Sequence, residues 1–256
     1  MVKKLAVEEG QKIIDGWSSI KIVEVKDHEA LDIATNLDRE VEGSLVKQLS
    51  TIFPEAGFEL EERESFNKDS EYKWVIDPID GTKWFATGVP LFAISIGLMK
   101  GDEPVLGVIY NPVSRQLYTG SDIAPAELNG KRVSVSKIDT LQRTMLSVDF
   151  SKIHDEWPTI REWVVSKMAA LTHETYRIRS LGSGALSLAW VASGSIMNAY
   201  TTLAGATKLV DVAAGLAICK AAGATILQRK NPINNKTEFI VGHEKVVNEI
   251  SKIIFS

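Results

Sequence analysis

The chain has 256 residues, of which 45% are apolar and 24% are charged, and its formal net charge is -4. This composition is typical of a soluble globular protein, and the slight acidic excess argues against a nucleic-acid-binding surface or an anionic membrane partner. The longest apolar runs are far shorter than the ~20 residues that a membrane-spanning helix needs. A single cysteine, Cys219, excludes a disulfide within the chain and is predicted to be inert core. We therefore expect a cytoplasmic protein.

Hydrophobic spacing predicts two helices in the first 53 residues, at Leu5–Trp17 and at Thr35–Phe53, where Pro54 stops the second. Between them, Ile20–Val25 is predicted as a short strand or extended turn, and the polar segment Lys26–Ala34 as a mobile loop. The second helix is expected to bury one face, which is formed by Leu37, Val41, Leu45 and Leu49.

A series of short strands is predicted next. Runs rich in Val, Ile and aromatic residues are separated by turn signals such as Gly101-Asp102 and Asn111-Pro112. This pattern indicates a mainly antiparallel meander, to which Asn129–Ser136 adds one turn and one strand. The other strands are predicted at Lys73–Ile76, Phe92–Met99, Val105–Tyr110 and Gln116–Thr119.

Strands and helices alternate in the second half, which is typical of an α/β arrangement. A soft boundary near Ser136–Leu141 divides the chain into an N-terminal α+β lobe, residues 1–138, and a C-terminal α/β lobe, residues 139–256. The predicted strands of the second lobe are Met145–Asp149, Tyr176–Ser180, Ala199–Thr202 and Phe239–Val241. Its predicted helices are Pro158–Leu171, Ser183–Ser193, Val212–Ala222 and Glu244–Ile254.

The segment WVIDPIDGT, residues 74–82, carries two aspartates three positions apart. A strand is expected to deliver Asp77, after which Pro78 ends the ladder and a turn brings Asp80 to the same side. Two carboxylates on one turn, with the Ile79 carbonyl between them, are hard oxygen ligands that suit Mg²⁺ or Mn²⁺. The segment therefore predicts part of a metal site.

The residues after the second aspartate could hold an anion. The amides of Gly81 and Thr82 are expected at a helix N-terminus, where negative charge is favoured. The alternative interpretation is structural, with Asp80 as a helix N-cap and Asp77 as a surface turn residue.

Two divalent ions need more carboxylates than this segment supplies. Glu61 and Glu62 precede the strand, and their alternative role is that of a solvated charge run. Asp211 is the only charge between Leu209 and Ile218, and its alternative role is the N-cap of a helix. Asp38, on the early helix, would by itself be an unremarkable exposed acid.

Five segments resemble, in content and order, the motifs of the inositol monophosphatase superfamily. Members of this superfamily are Mg²⁺-dependent, lithium-sensitive phosphomonoesterases, and the resemblance covers nearly the whole chain. The valine before Asp211 is similar to the archaeal type, whose members act on inositol monophosphate and on fructose 1,6-bisphosphate. The five segments are TNLD (35–38), EE (61–62), WVIDPIDGT (74–82), LGSGA (181–185) and VDVAAG (210–215).

The resemblance implies a layered α/β fold of alternating α-β-α-β-α layers. A mainly antiparallel sheet lobe and a smaller second sheet lobe would enclose the metals, and the protein would be a homodimer. By the family pattern, two or three Mg²⁺ ions, or Mn²⁺, would be bound by Glu61, Asp77, the Ile79 carbonyl, Asp80 and Asp211.

The resemblance also assigns catalytic and substrate-binding roles. Asp38 and Thr82 would orient the attacking water and help to deprotonate it, while Glu61 would assist through its metal. Substrate contacts would come from Gly81, Thr82, Lys83, Arg179 and Gly184. Two of these have structural alternatives, since Arg179 could be a surface residue and Gly184 part of a tight turn.

The sequence leaves the substrate open. Inositol-selective members have a glutamate seven residues before Asp211, where this chain has Ala204. The lysine directly after the motif, Lys83, resembles a feature of the branches that act on 3′-phosphoadenosine 5′-phosphate and on histidinol phosphate. These two compounds are therefore alternative substrates. A third alternative is a non-catalytic metal-binding regulatory module, against which the presence of both Asp38 and Thr82 argues.

Overall fold

The computed structural model describes residues 1–19, 22–25, 33–150, 159–205 and 207–255. Most of the predicted loop Lys26–Ala34 lies outside these ranges, as does Pro158, the predicted start of a helix. Among the described helices, none has both the length and the apolar character needed to cross a membrane. The helices are α1 Val2–Gly16, α2 Asn36–Ile52, α3 Thr82–Ala86, α4 Thr159–Glu174, α5 Gly184–Ala192, α6 Leu209–Ala221 and α7 Glu244–Phe255.

The N-terminal helices follow the predicted periodicity. α1 is confirmed and continues into a 3-10 turn, Trp17–Ser19, while α2 begins with Thr35 as its N-cap. The expected face of α2 is buried at all four positions, which are Leu37, Val41, Leu45 and Leu49. A small antiparallel ladder joins β1 Ile22–Val25 to β2 Ile33–Thr35, so the end of the segment predicted as a loop is a strand instead.

Within the described ranges, the first large sheet contains seven strands that lie side by side in chain order. The predicted meander is confirmed, but β3 and β8 were not predicted, because β3 is only four residues long and β8 contains a proline and a glutamate. β3 runs parallel to β4, and the other neighbours are antiparallel. The strands are β3 Gly57–Leu60, β4 Tyr72–Asp80, β5 Ala93–Lys100, β6 Glu103–Asn111, β7 Gln116–Ser121, β8 Ala124–Leu128 and β9 Lys131–Arg132.

In the part of the chain that the structure describes, the second sheet has five strands in the order β11-β10-β12-β14-β13. β10 is parallel to both of its neighbours, whereas β14 is antiparallel to β12 and β13. β13 was not predicted, since its sequence TILQRK is polar along half its length. The strands are β10 Met145–Phe150, β11 Arg177–Arg179, β12 Ala199–Leu203, β13 Thr225–Lys230 and β14 Thr237–Gly242.

The elements stack in five layers, as predicted. α1 and α2 cover the outer face of the first sheet, α5 and α6 lie between the two sheets, and α4 and α7 cover the far face of the second. The first sheet ends at Arg132 and the second begins at Met145. The division into lobes at residues 138 and 139 stays a prediction, and α6, from the second half, packs on the sheet of the first.

A row of three glycines lets α6 approach the first sheet closely. Gly97 on β5 is opposite Gly107 on β6, which is opposite Gly120 on β7. A Cβ atom at Gly107 would lie 2.0 Å from the carbonyl oxygen of Ala214 on α6. Because these positions carry no side chains, the helix lies directly on the strands and places its first turn beside β4, where Val210 packs near Val75.

Candidate active site

A β-bulge in β4 brings the two aspartates of the central motif to the same face. Asp77 is opposite Ser95 and Asp80 is opposite Ala93, so β4 contains one residue more than β5 over this interval. Residues three apart in a regular strand point to opposite faces, and the extra residue restores the alignment. The prediction that Pro78 ends the ladder is wrong, because the strand continues through it to Asp80.

Three carboxylates from distant parts of the chain meet at this end of β4. One oxygen from each of Glu61, Asp77 and Asp211 lies within 4.8 Å of the other two. Glu61 directly follows β3, and because β3 and β4 are parallel, their carboxyl ends share one edge of the sheet. A set of hard anionic oxygens at this spacing fits a cation such as Mg²⁺.

Asp80 is held by the N-terminus of α5 and is not part of this group of three. Its Oδ2 accepts hydrogen bonds from Ser183 Oγ at 2.5 Å and from the Ala185 backbone N–H at 2.9 Å. Ser183 is the N-cap of α5, and its Oγ accepts a hydrogen bond from the Leu186 backbone N–H at 3.4 Å. A Cβ on Gly184 would lie 3.0 Å from the Asp211 carbonyl oxygen, so glycine allows α5 to approach Asp211. The LGSGA segment thus holds the Asp80 side chain and lies close to Asp211.

Asp38 is fully buried at the start of α2, although its sequence context alone suggested an exposed acid. Its Oδ2 accepts hydrogen bonds from the Thr35 backbone N–H at 2.9 Å and from the Thr35 hydroxyl. Its Oδ1 lies 3.4 Å from Thr82 Oγ1, which also donates to the Ile79 carbonyl oxygen at 2.9 Å. The tertiary structure therefore brings Asp38, Thr82 and the Ile79 carbonyl together.

A cavity of about 610 Å³ is bordered by the carboxylates of Glu61, Asp77, Asp80 and Asp211. Four of the five residues that the resemblance assigns to substrate contacts line it, namely Gly81, Thr82, Lys83 and Gly184. Arg179 does not line the described cavity, and its Nη1 donates to the Ile178 carbonyl oxygen at 2.8 Å. The structure thus favours the alternative of a surface arginine at this position.

The electrostatic environment disfavours ionisation of the acids in the absence of cations. Burial raises the pKa of Asp38 to about 6 and that of Asp211 to about 7. Burial also holds the pKa values of Asp77 and Asp80 well above their usual range, and the charges of neighbouring carboxylates add to the effect. A divalent cation would offset this repulsion, since opposite charge favours the ionised form.

Sequence reasoning missed two residues of the site. Asp149, at the carboxyl end of β10, lines the cavity and accepts a hydrogen bond from Tyr200 OH at 2.9 Å. Its position at the end of a predicted apolar strand was the available signal. Lys208 also lines the cavity, and its Nζ lies 3.6 Å from Glu61 Oε1.

The structure also corrects the predicted start of α6, because the N-cap is this same lysine. Lys208, not Asp211, is the N-cap, and Asp211 is the third helical residue. Asp211 Oδ2 accepts a hydrogen bond from the Lys208 backbone N–H at 2.9 Å, which satisfies an amide at the helix start. The Asp211 carboxylate therefore takes part both in the helix start and in the three-carboxylate group.

Comparison with known proteins decides the family. Residues 2–253 match the model of the inositol monophosphatase family. The chain belongs to the inositol monophosphatase family. A relative within it, the fructose-1,6-bisphosphatase/inositol-1-monophosphatase of Aquifex aeolicus, is 30% identical over 223 residues, covering 87% of this chain and 82% of the relative. The Nus factor SuhB of Xylella fastidiosa is 30% identical over 264 residues, covering 99% and 92%.

Solved structures agree with this assignment. Thermotoga maritima IMPase superposes with a TM-score of 0.83 at 28% identity, covering 99% of this chain and 95% of that one. The extragenic suppressor protein suhB from Bartonella henselae gives a TM-score of 0.85 at 25% identity, covering 98% and 95%. The predicted family and layered fold are confirmed. The chain is a phosphatase of this superfamily, a class that acts on small phosphorylated substrates.

Proposed function

We propose that this chain is a Mg²⁺-dependent phosphomonoesterase that hydrolyses inositol monophosphate, fructose 1,6-bisphosphate or both. The observation that carries the proposal is the convergence of Glu61, Asp77 and Asp211, whose oxygens lie within 4.8 Å of one another. The Aquifex aeolicus relative is named for both activities, which supports this pair of substrates.

In this proposal the metals are held by the three clustered carboxylates together with Asp80 and the Ile79 carbonyl. Bound there, two or three Mg²⁺ ions would neutralise the phosphate oxygens and lower the pKa of the attacking water. Ser183 and Ala185 hold Asp80 in place through its Oδ2, which leaves its other oxygen for ligation.

Asp38 and Thr82 would orient the attacking water and remove its proton. With a pKa of about 6, Asp38 is mostly ionised at neutral pH and is a stronger base than an ordinary carboxylate. As the water oxygen bonds to phosphorus, the bond from phosphorus to the ester oxygen breaks, and the leaving oxygen takes up a proton to become the product alcohol. Thr82 Oγ1, 3.4 Å from Asp38 Oδ1, is placed to share this water.

The amides of Gly81 and Thr82 would hold the phosphate. Gly81 has a φ of 91°, and a Cβ there would lie 2.5 Å from the Leu91 carbonyl oxygen, so the turn requires glycine. Glycine at this position lets the turn pack directly against the backbone of Leu91 and Phe92.

Two lysines favour a substrate with a second anionic group. Lys83 and Lys208 both line the cavity. Ala204, at the position where inositol-selective members have glutamate, offers no carboxylate for a sugar hydroxyl. These features support fructose 1,6-bisphosphate over inositol monophosphate. They also make 3′-phosphoadenosine 5′-phosphate the second candidate, ahead of histidinol phosphate, which carries one phosphate group.

A phosphate-release assay tests the proposal. The test compounds are inositol 1-phosphate, fructose 1,6-bisphosphate and 3′-phosphoadenosine 5′-phosphate. We expect phosphate release from inositol 1-phosphate or fructose 1,6-bisphosphate in Mg²⁺, and no release in chelator. Asp77→Asn should abolish release and leave the fold intact. Asp69→Asn, at an exposed position in the connection before β4, is the control and should be fully active.

Two outcomes of this assay would contradict the proposal. Turnover by Asp77→Asn would remove that residue from the mechanism. Absence of release from all three substrates would favour the alternative of a non-catalytic metal-binding regulatory module. Homodimer formation and a cytoplasmic location stay predictions.

A further inference from the structure

Glu42 is a buried carboxylate that the proposed mechanism does not use. It lies on α2, one helical turn after Asp38, and its side chain is 0% exposed. Its Oε1 accepts two backbone hydrogen bonds, from the N–H of Glu61 at 2.9 Å and from the N–H of Glu62 at 3.0 Å. One carboxylate oxygen therefore holds the two consecutive peptide groups at the proposed metal ligand.

Packing alone does not account for a glutamate at this position. α2 buries apolar side chains along the same side of the helix, at Val41 and Leu45, and a leucine would avoid the desolvation of a charge. The carboxylate is stabilised instead by the two amides and by Arg63, whose Nε lies 3.8 Å from Glu42 Oε2. Hydrogen bonds from amides to an ionised acceptor are about twice as strong as neutral ones.

The contact also joins two parts of the site that are distant in sequence. Asp38 and Glu42 are four residues apart on one helix, so their side chains lie on the same face. Glu61 follows β3, which is only four residues long. Through Glu42, the peptide groups that follow this short strand are anchored to the helix that carries Asp38.

We propose that Glu42 is a positioning residue that fixes Glu61 for metal binding and sets its placement relative to Asp38. This inference rests on the proposed function, because it assigns to Glu61 a metal ligand's role. Residues that orient metal ligands are important for affinity, and their replacement typically weakens metal binding by about 10- to 100-fold.

Two substitutions separate the reach of Glu42 from its charge. Glu42→Asp keeps the charge but shortens the side chain by one methylene, so the carboxylate cannot reach either amide at hydrogen-bonding distance. Glu42→Gln keeps the reach, because its amide oxygen can accept from both N–H groups, but removes the charge. A positioning role predicts that glutamine preserves metal binding and aspartate does not.

Glu9 provides a matched control. It is a buried carboxylate on α1 that also contacts α2, where Ser44 Oγ donates to Glu9 Oε1 at 2.7 Å and Gln48 Nε2 donates at 3.2 Å. Neither of these partners lines the cavity. Glu9→Asp should lower the free energy of unfolding and leave Mg²⁺ binding unchanged.

The experiment is Mg²⁺ titration of each protein by calorimetry, with urea unfolding to report stability. We expect Glu42→Asp to bind Mg²⁺ about tenfold more weakly than the wild type, and Glu42→Gln to stay within about threefold. Saturating Mg²⁺ should restore much of the kcat of Glu42→Asp, because the defect lies in metal affinity.

Unchanged Mg²⁺ affinity in Glu42→Asp would overturn the inference, as would a tenfold loss in Glu42→Gln. If Glu42→Asp does not fold, the Mg²⁺ affinity of Glu42→Gln is the deciding measurement. Failure of the wild type to bind Mg²⁺ would instead refute the proposed function, so the two failures are distinguishable.

Discussion

Replacing Asp211 with asparagine should stabilise the metal-free protein at neutral to alkaline pH. Burial, followed by the charge of Glu61, raises the pKa of Asp211 from 3.8 to about 7. A folded-state pKa above the unfolded value means that the folded protein binds more protons between about pH 4 and pH 7, so the free energy of unfolding falls as the pH rises through this window. The asparagine variant would escape this loss, since its side chain carries no charge. The amide oxygen of that side chain can still accept the hydrogen bond from the Lys208 backbone N–H.

The size of the effect follows from the shift of about three units. At about 1.4 kcal/mol per unit, ionising Asp211 in the folded, metal-free protein costs on the order of 4 kcal/mol. In chelator at pH 8, Asp211→Asn should therefore unfold at a higher urea concentration than the wild type. The difference should shrink at pH 5, where Asp211 is protonated in the folded protein, and Asp69→Asn should change stability little at either pH.

Saturating Mg²⁺ should remove most of this difference in stability. A ligand at a hundred times its Kd stabilises the protein that binds it by about 2.7 kcal/mol, and the wild type alone would gain this in full. Urea unfolding at pH 8 and pH 5, with chelator and with Mg²⁺, gives all four comparisons. A variant that is less stable than the wild type in chelator at pH 8 would refute the reasoning, and so would a gain that Mg²⁺ does not alter.

Two further substitutions test the architecture and the charge of the site. Gly107→Ala would place a Cβ 2.0 Å from the Ala214 carbonyl oxygen, so α6 must shift. We expect the free energy of unfolding to fall by about 1–3 kcal/mol and Mg²⁺ binding through Asp211 to weaken. Urea unfolding and calorimetry measure the two effects, and wild-type values in both would contradict the role of the glycine row. Lys208→Met removes an ammonium group 3.6 Å from Glu61 Oε1, so it should strengthen Mg²⁺ binding a few-fold and weaken the binding of bisphosphate substrates. Weaker Mg²⁺ binding in calorimetry would contradict this expectation and show that the lysine supports the metal site.

Local patterns in the sequence were sufficient for the elements that depend on near neighbours. The helical period of Leu37, Val41, Leu45 and Leu49 predicted both α2 and its buried face. The two aspartates of WVIDPIDGT, the aspartate of VDVAAG and the order of the motifs identified the family. These signals survive in a single sequence because each rests on spacing within a few residues.

The tertiary structure alone decided how the acids meet. The parallel pairing of β3 with β4 and the glycine row under α6 bring Glu61, Asp77 and Asp211 together, while the extra residue in β4 turns Asp80 to the same face as Asp77. Each of these features depends on contacts between segments far apart in sequence. The roles of Glu42, Asp149 and Lys208 were hidden for the same reason. A carboxylate or an ammonium group acquires its function from the atoms that surround it after folding, and a linear pattern does not contain them.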